Sequence, residues 1–134
     1  MHVEFIVAQR PVSQQARRQE RLRAWRELVA DSAKRAAGAP APQLSLGPTA
    51  IRILYFYDEA ALDTDNVVKP IQDALKGVLI EDDSVVTDIE VRRRWLRTDF
   101  TLRDPSPALI EGLELQTEFV YVLVSDAPEQ DVLP

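Results

Sequence analysis

Apolar positions along this chain change period repeatedly, and each change marks an element. Val3 to Ala8 alternates as a strand does and ends at Gln9-Arg10-Pro11, where proline removes a ladder donor. Ser13 suits a helix cap. From there to about Ala37, the residues Leu22, Trp25, Val29, Ala33 and Ala36 recur at spacings of three and four, which predicts one long helix with a single apolar stripe. Gly38 stops it, and the proline-containing run to Pro48 reads as a loop. Ile51 to Tyr57 is a near-continuous branched and aromatic run, the pattern of a largely buried strand. Val67, Val68, Ile71, Ala74, Leu75 and Val78 return to helical spacing, with Gly77 closing the helix. Pro70 implies that this helix either begins near Asn66 to Lys69 or kinks there.

After the turn Asp82-Asp83-Ser84, the residues Val85, Thr87, Ile89, Val91 and Trp95 fall on one face of a long strand. Asp88, Glu90, Arg92 and Arg94 fall on the other, which predicts one solvated side. Pro107 to Leu113 forms a short helix and Thr117 to Val124 a last strand. The expected class is α/β (α+β): a small mixed sheet of about four strands with two main helices packed on it. Residues 1–124 make one domain, and 125–134 a polar, flexible tail.

Length agrees with one domain, because 134 residues suffice to bury roughly two thirds of the unfolded surface in a single core. No apolar run approaches the roughly 20 residues of a membrane span, and the chain starts directly with a strand pattern, so a cytoplasmic location is expected. The absence of cysteine and the single histidine, His2, exclude Cys/His zinc sites, cysteine nucleophiles and a histidine triad in the body of the fold.

Net charge is −6, which taken alone argues against nucleic acid. Its distribution argues otherwise: residues 1–57 hold nine basic against four acidic side chains, residues 58–90 two against ten. A local basic patch binds phosphate despite an acidic total, since exposed charges beyond about 8 Å are screened. Arg10, Arg17, Arg18 and Arg21, with Arg92 and Arg94, are the candidate phosphate contacts; helix ion pairs such as Arg23 to Glu27 are the competing use of arginine here.

The acidic stretch carries the chemistry. Asp63, Asp65, Asn66, Lys69, Asp73, Asp82 and Asp83 crowd into a short segment among mostly apolar residues. Carboxylates about 5 Å apart repel by roughly 3 kcal/mol at an effective dielectric of about 20, so their convergence calls for a cation. Hard divalent ions take oxygen ligands and need few protein carboxylates. On an extended segment Asp63 and Asp65 would point the same way. If the strand after Asp83 pairs beside Ile51 to Tyr57, the turn would land next to them. The spacing from Asp65 to Lys69, Asp73 and Lys76 makes a polar helical stripe, of which Asp65 beside Lys69 survives a break at Pro70 better than Asp73 does. The same residues also admit a structural use, with Asp63 as turn former, Asp65 or Asn66 as cap, Lys69 and Asp73 as a surface pair, and Asp82-Asp83 as a hairpin turn.

The run Asp63-Thr64-Asp65-Asn66-Val67-Val68-Lys69-Pro70-Ile71-Gln72-Asp73-Ala74-Leu75-Lys76-Gly77, followed by Asp82-Asp83-Ser84-Val85-Val86, resembles the signature of RusA-type Holliday junction resolvases. Looser similarity covers the first strand and its Arg10-Pro11-Val12 ending. The resemblance implies a Mg2+-dependent endonuclease, with Mn2+ as a substitute, that acts as a homodimer and nicks two strands of a four-way DNA junction symmetrically. It also implies that Asp63, Asp65 and Asp83 are the metal-binding catalytic aspartates and Lys69 the essential lysine; Asp82 matches the acidic position before Asp83, and Asn66, Asp73 and Asp82 are candidate supporting residues to which the resemblance assigns no role. Two other readings stand beside it: a nuclease for other branched or flapped DNA, and a non-cutting DNA-binding or protein-interaction module.

Overall fold

The computed structural model describes residues 1–130 and 132. In chain order it contains β1 (His2–Val7), α1 (Gln19–Ala37), β2 (Thr49–Tyr57), α2 (Thr64–Leu75), a short 3-10 turn (Asp83–Val85), β3 (Val86–Trp95), α3 (Pro107–Glu114) and β4 (Phe119–Asp126). The four strands form one mixed sheet in the order β1-β4-β2-β3, antiparallel except for the β2–β3 pair, so the fold is α+β as expected. The parallel pair follows from α2, whose length carries the chain back to the start of β2, where Val86 pairs with Thr49.

The helices divide between the two faces of the sheet. Trp25, Val29 and Ala33 of α1 and Val67, Ile71 and Leu75 of α2 pack with Phe5, Val7, Ile51, Ile53, Tyr55, Val120, Val122 and Val124. On the opposite face Leu109 of α3 joins Phe56, Phe119 and Tyr121, with Leu96 and Phe100 against them. The second face is thus covered in part and carries a groove of about 830 Å3.

Several local expectations change. The first helix starts at Gln19, not Ser13: the Ser13 hydroxyl accepts from the Gln15 amide at 3.1 Å in a preceding turn, and Arg18 stands at the helix N-cap. The diverted segment is used elsewhere. Pro70 has no N–H for the Asn66 carbonyl one turn back, and the Gln14 amide donates to that carbonyl at 3.1 Å. With the orphaned acceptor satisfied from outside, α2 runs from Thr64 through Pro70 to Leu75. Gly77, at φ +76, follows it.

β3 does not bury the apolar face that its alternation predicts. It is an edge strand, Ile89 and Trp95 remain 46% and 42% exposed, and only Val86 and Val91 of the strand reach the α1–α2 core. β4 continues through Asp126, whose amide donates to the Met1 carbonyl, so the first two positions of the expected tail belong to the sheet. Residues 131, 133 and 134 of that expected tail lie outside the described residues.

Candidate active site

The acids distribute along α2 rather than meeting at one point. Asp63 is the N-cap residue, extended at φ −66 and ψ 141, yet its side chain makes no capping bond and is 78% exposed. Its nearest opposite charge is Arg93, at 3.9 Å. Asp65 lies in the first helical turn, exposed, where the unpaired backbone donors favour a carboxylate. Because helix starts at Thr64, the two acids do not share one side of an extended segment, contrary to the strand-based expectation.

Further along the helix Lys69 joins two carboxylates. Its Nζ is 2.9 Å from Asp73 Oδ1 and 3.2 Å from Asp83 Oδ2. The hydrogen bonds that its ammonium donates, first to Asp73 and then to Asp83, raise the lysine pKa, which favours its positive charge. Lys76 Nζ lies 3.6 Å from the same Asp83 oxygen, and Arg26 of α1 lies 3.8 Å from Asp73. Asp73, discounted in the sequence because of Pro70, is therefore a member of the row: the helix does not break there.

The parallel pairing of β2 and β3 places the Asp82-Asp83 turn at the start of β2. Asp83 accordingly meets the second half of α2, beside Lys69, Asp73 and Lys76, and the expected junction with Asp63 and Asp65 is replaced by a row with Lys69 between its two parts. Asp82 is a turn former. Its carboxylate accepts from the Ser84 amide at 3.2 Å, and that backbone bond holds its pKa below the ordinary value. The Asn66 carbonyl is committed to Gln14.

Among the described residues no group of three or more Asp, Glu, His or Cys side chains is close enough to hold a metal ion. One atom nonetheless fits a cation. Asp83 Oδ1 is buried and has no hydrogen-bond partner, which for a carboxylate oxygen costs free energy until a donor or a positive ion reaches it.

The arginines separate into two sets. Arg17, Arg18 and Arg21 are exposed, take part in no ion pair among the described residues, and line a groove of about 630 Å3 that also contains Leu62, the neighbour of Asp63. Arg10 lines it too, but its guanidinium is already bound to the Ala60 carbonyl and to Glu118, at 2.8 and 3.1 Å. Arg92 and Arg94 line the larger groove on the other face of the sheet, where Arg92 pairs with Glu90 at 2.6 Å and Arg94 donates to the Arg93 carbonyl. They are not part of the groove that borders the acids. Sequence reading missed Lys76 as a partner of Asp83 and Arg26 as a partner of Asp73. The first was within reach, since Lys76 shares the helix face of Lys69, whereas the second needs the packing of α1 on α2.

Comparison with known families bears on this arrangement. Residues 7–101 match the profile described as endodeoxyribonuclease RusA, a span that contains Arg10, the groove arginines, the whole of α2, Asp83 and β3. A search of curated proteins found no match to the chain. No helix among the described residues is long and apolar enough to cross a membrane. This match, which covers most of the chain, places the protein in the RusA family of endodeoxyribonucleases, enzymes that resolve Holliday junctions.

Proposed function

We propose that the protein is a Mg2+-dependent homodimeric endonuclease that resolves four-way DNA junctions by paired symmetric nicks. Asp83, whose buried oxygen has no partner, would hold the ion, Asp63 and Asp65 would complete its ligands only if the row closes around it, and Lys69 would sit beside the scissile phosphate. The observation that carries the reading is Asp83: one oxygen contacts Lys69 across the fourteen residues that separate the two halves of the acidic stretch, and the other is buried without a partner. When bound, a divalent ion would lower the pKa of a coordinated water and polarise the phosphate.

The chain's own residues have separable tasks. Lys69 supplies a positive charge for a phosphoryl oxygen, its protonation favoured by Asp73 and Asp83. Asp73 keeps the lysine directed along the row at 2.9 Å. Arg17, Arg18 and Arg21 would bind flanking phosphates in the groove that borders Leu62, each neutralised phosphate releasing counterions. The dimer follows from the product. Two symmetric nicks need two sites, and one chain carries a single Asp63-Asp65-Lys69-Asp83 set.

The test is cleavage of synthetic four-way junctions with Mg2+, with Mn2+ and with neither, beside flapped and linear duplexes. We expect metal-dependent nicking selective for the four-way junction, abolished in Asp65→Asn and Asp83→Asn proteins that still melt cooperatively. Cleavage by these variants equal to the parent would remove the proposed site. Preferential cutting of flaps would reassign the substrate.

A further inference from the structure

The segment from Asp58 to Leu62 joins β2 to α2 and delivers Asp63 and Asp65, yet among the described residues it makes no backbone-to-backbone hydrogen bond. Side chains hold it instead. Trp95 Nε1 donates to the Asp58 carbonyl at 2.8 Å, Arg10 Nη1 to the Ala60 carbonyl at 2.8 Å, and Arg93 Nη1 to the Leu62 carbonyl at 3.0 Å. Alternate carbonyls are thus taken in turn, by donors that come from the chain just beyond β1 and from the end of β3. Arg97 Nε adds a bond to the Asp58 carboxylate at 2.8 Å.

The donors are themselves restrained. Arg10 Nη1 also donates to Glu118 Oε1 at 3.1 Å, and the same carboxylate oxygen accepts from the Tyr55 hydroxyl at 2.6 Å. Burial first, and then that bond, push the Tyr55 phenol well above its ordinary value, so Glu118 keeps its donor. Arg93 and Trp95 project from β3, whose register opposite Tyr55 and Tyr57 brings them beside the segment that leaves β2. Two of the three carbonyl bonds come from guanidinium groups, and charge-assisted bonds are about twice as strong as neutral ones.

We propose that Trp95, Arg10 and Arg93 are positioning residues of the nuclease site: by holding the carbonyls of Asp58, Ala60 and Leu62 they fix where Asp63 and Asp65 stand. The inference rests on the reading of those two aspartates as catalytic acids. Trp95 and Arg10 act only through the segment they hold, whereas Arg93 also lies 3.9 Å from the Asp63 carboxylate itself.

Trp95→Phe keeps an aromatic ring and loses the donor, Arg10→Gln shortens the second tie, and Arg93→Lys keeps the charge while losing the fork. Two readouts test the inference on proteins whose overall melting is first compared with the parent. Hydrogen exchange at the Asn66 amide, which donates to the Asp63 carbonyl at 3.1 Å, is expected to quicken in each variant while the core strands keep their protection; unchanged exchange there overturns the inference. Turnover of a four-way junction in Mg2+ is expected to fall about 10- to 100-fold in kcat with KM unchanged, as for misplacement of a reacting group. Arg93→Lys is expected to retain more turnover than Arg93→Ala. Parental kcat in Trp95→Phe and Arg10→Gln overturns this inference alone, whereas a parent protein that cuts no junction overturns the functional reading on which it stands.

Discussion

Asp83 and Glu4 are carboxylates on opposite sides of the same sheet, and they are held by different means. Asp83 meets Lys69 and Lys76, whose ammonium groups sit on exposed, flexible stems, and its second oxygen is buried without a partner. Glu4 accepts from the hydroxyl of Tyr121 at 2.5 Å, and that ring packs with Phe56, Phe119 and Leu109 under α3. A lysine on a long stem can yield its place to another cation at small cost, since exposed ion pairs are worth about 0–1 kcal/mol. A buried phenol cannot leave without opening the core. One carboxylate is placed to exchange partners and the other to fix the fold.

The largest effect separating the two sides is expected from Lys69→Met. It removes the charge between Asp73 and Asp83, and junction cleavage in single-turnover assays is expected to fall about 10²- to 10³-fold, as when one preorganised electrostatic contact is removed. Its melting temperature is expected to move little, for the reason that makes exposed pairs weak. A variant that melts early and cuts normally would reverse the comparison. On the other side Gly112→Ala is expected to do the opposite. A Cβ at Gly112 would lie 2.3 Å from the Phe119 ring, which is fully buried and stacked on Phe56 at 4.7 Å. The resulting overpacking is expected to cost about 1–3 kcal/mol in urea unfolding while the folded protein keeps its cleavage rate.

The smallest effect is a pH dependence. Burial, and then the bond to Glu4, raise the Tyr121 phenol to about 12. The unfolded chain releases this proton near the ordinary value of about 10, so the contribution is complete below that pH and is lost as pH climbs toward about 12. Urea midpoints measured at pH 8 and pH 11 are expected to show the decline, and Tyr121→Phe to flatten it. An unchanged slope in that variant would assign the alkaline loss to other groups.

The extent to which the site was legible depends on the distance between the residues concerned. Lys69 and Asp73 pair because four residues span one helical turn, and Asp82 closes its turn on Ser84 two residues away; both follow from local backbone geometry. The stripe Leu22, Trp25, Val29 and Ala33 is buried as its spacing requires. Pro70 shows the limit of such reasoning. Judged locally it breaks a helix, but the Gln14 amide supplies the missing donor from a segment more than fifty residues earlier. The alternation of β3 predicted a dry face, whereas its position at the sheet edge leaves Ile89 and Trp95 open.

By itself the sequence determined the element types, the polar row along α2 and the spacing that marks the family, because periodicity and short-range contacts are written into neighbouring residues. Tertiary structure alone decided that Asp83 meets Lys69 rather than Asp63, that Arg26 reaches Asp73, and that Trp95, Arg10 and Arg93 hold the segment before Asp63. Those contacts depend on strand order and on the parallel pairing of β2 with β3, which are set by how the helices cover the sheet and not by any local pattern.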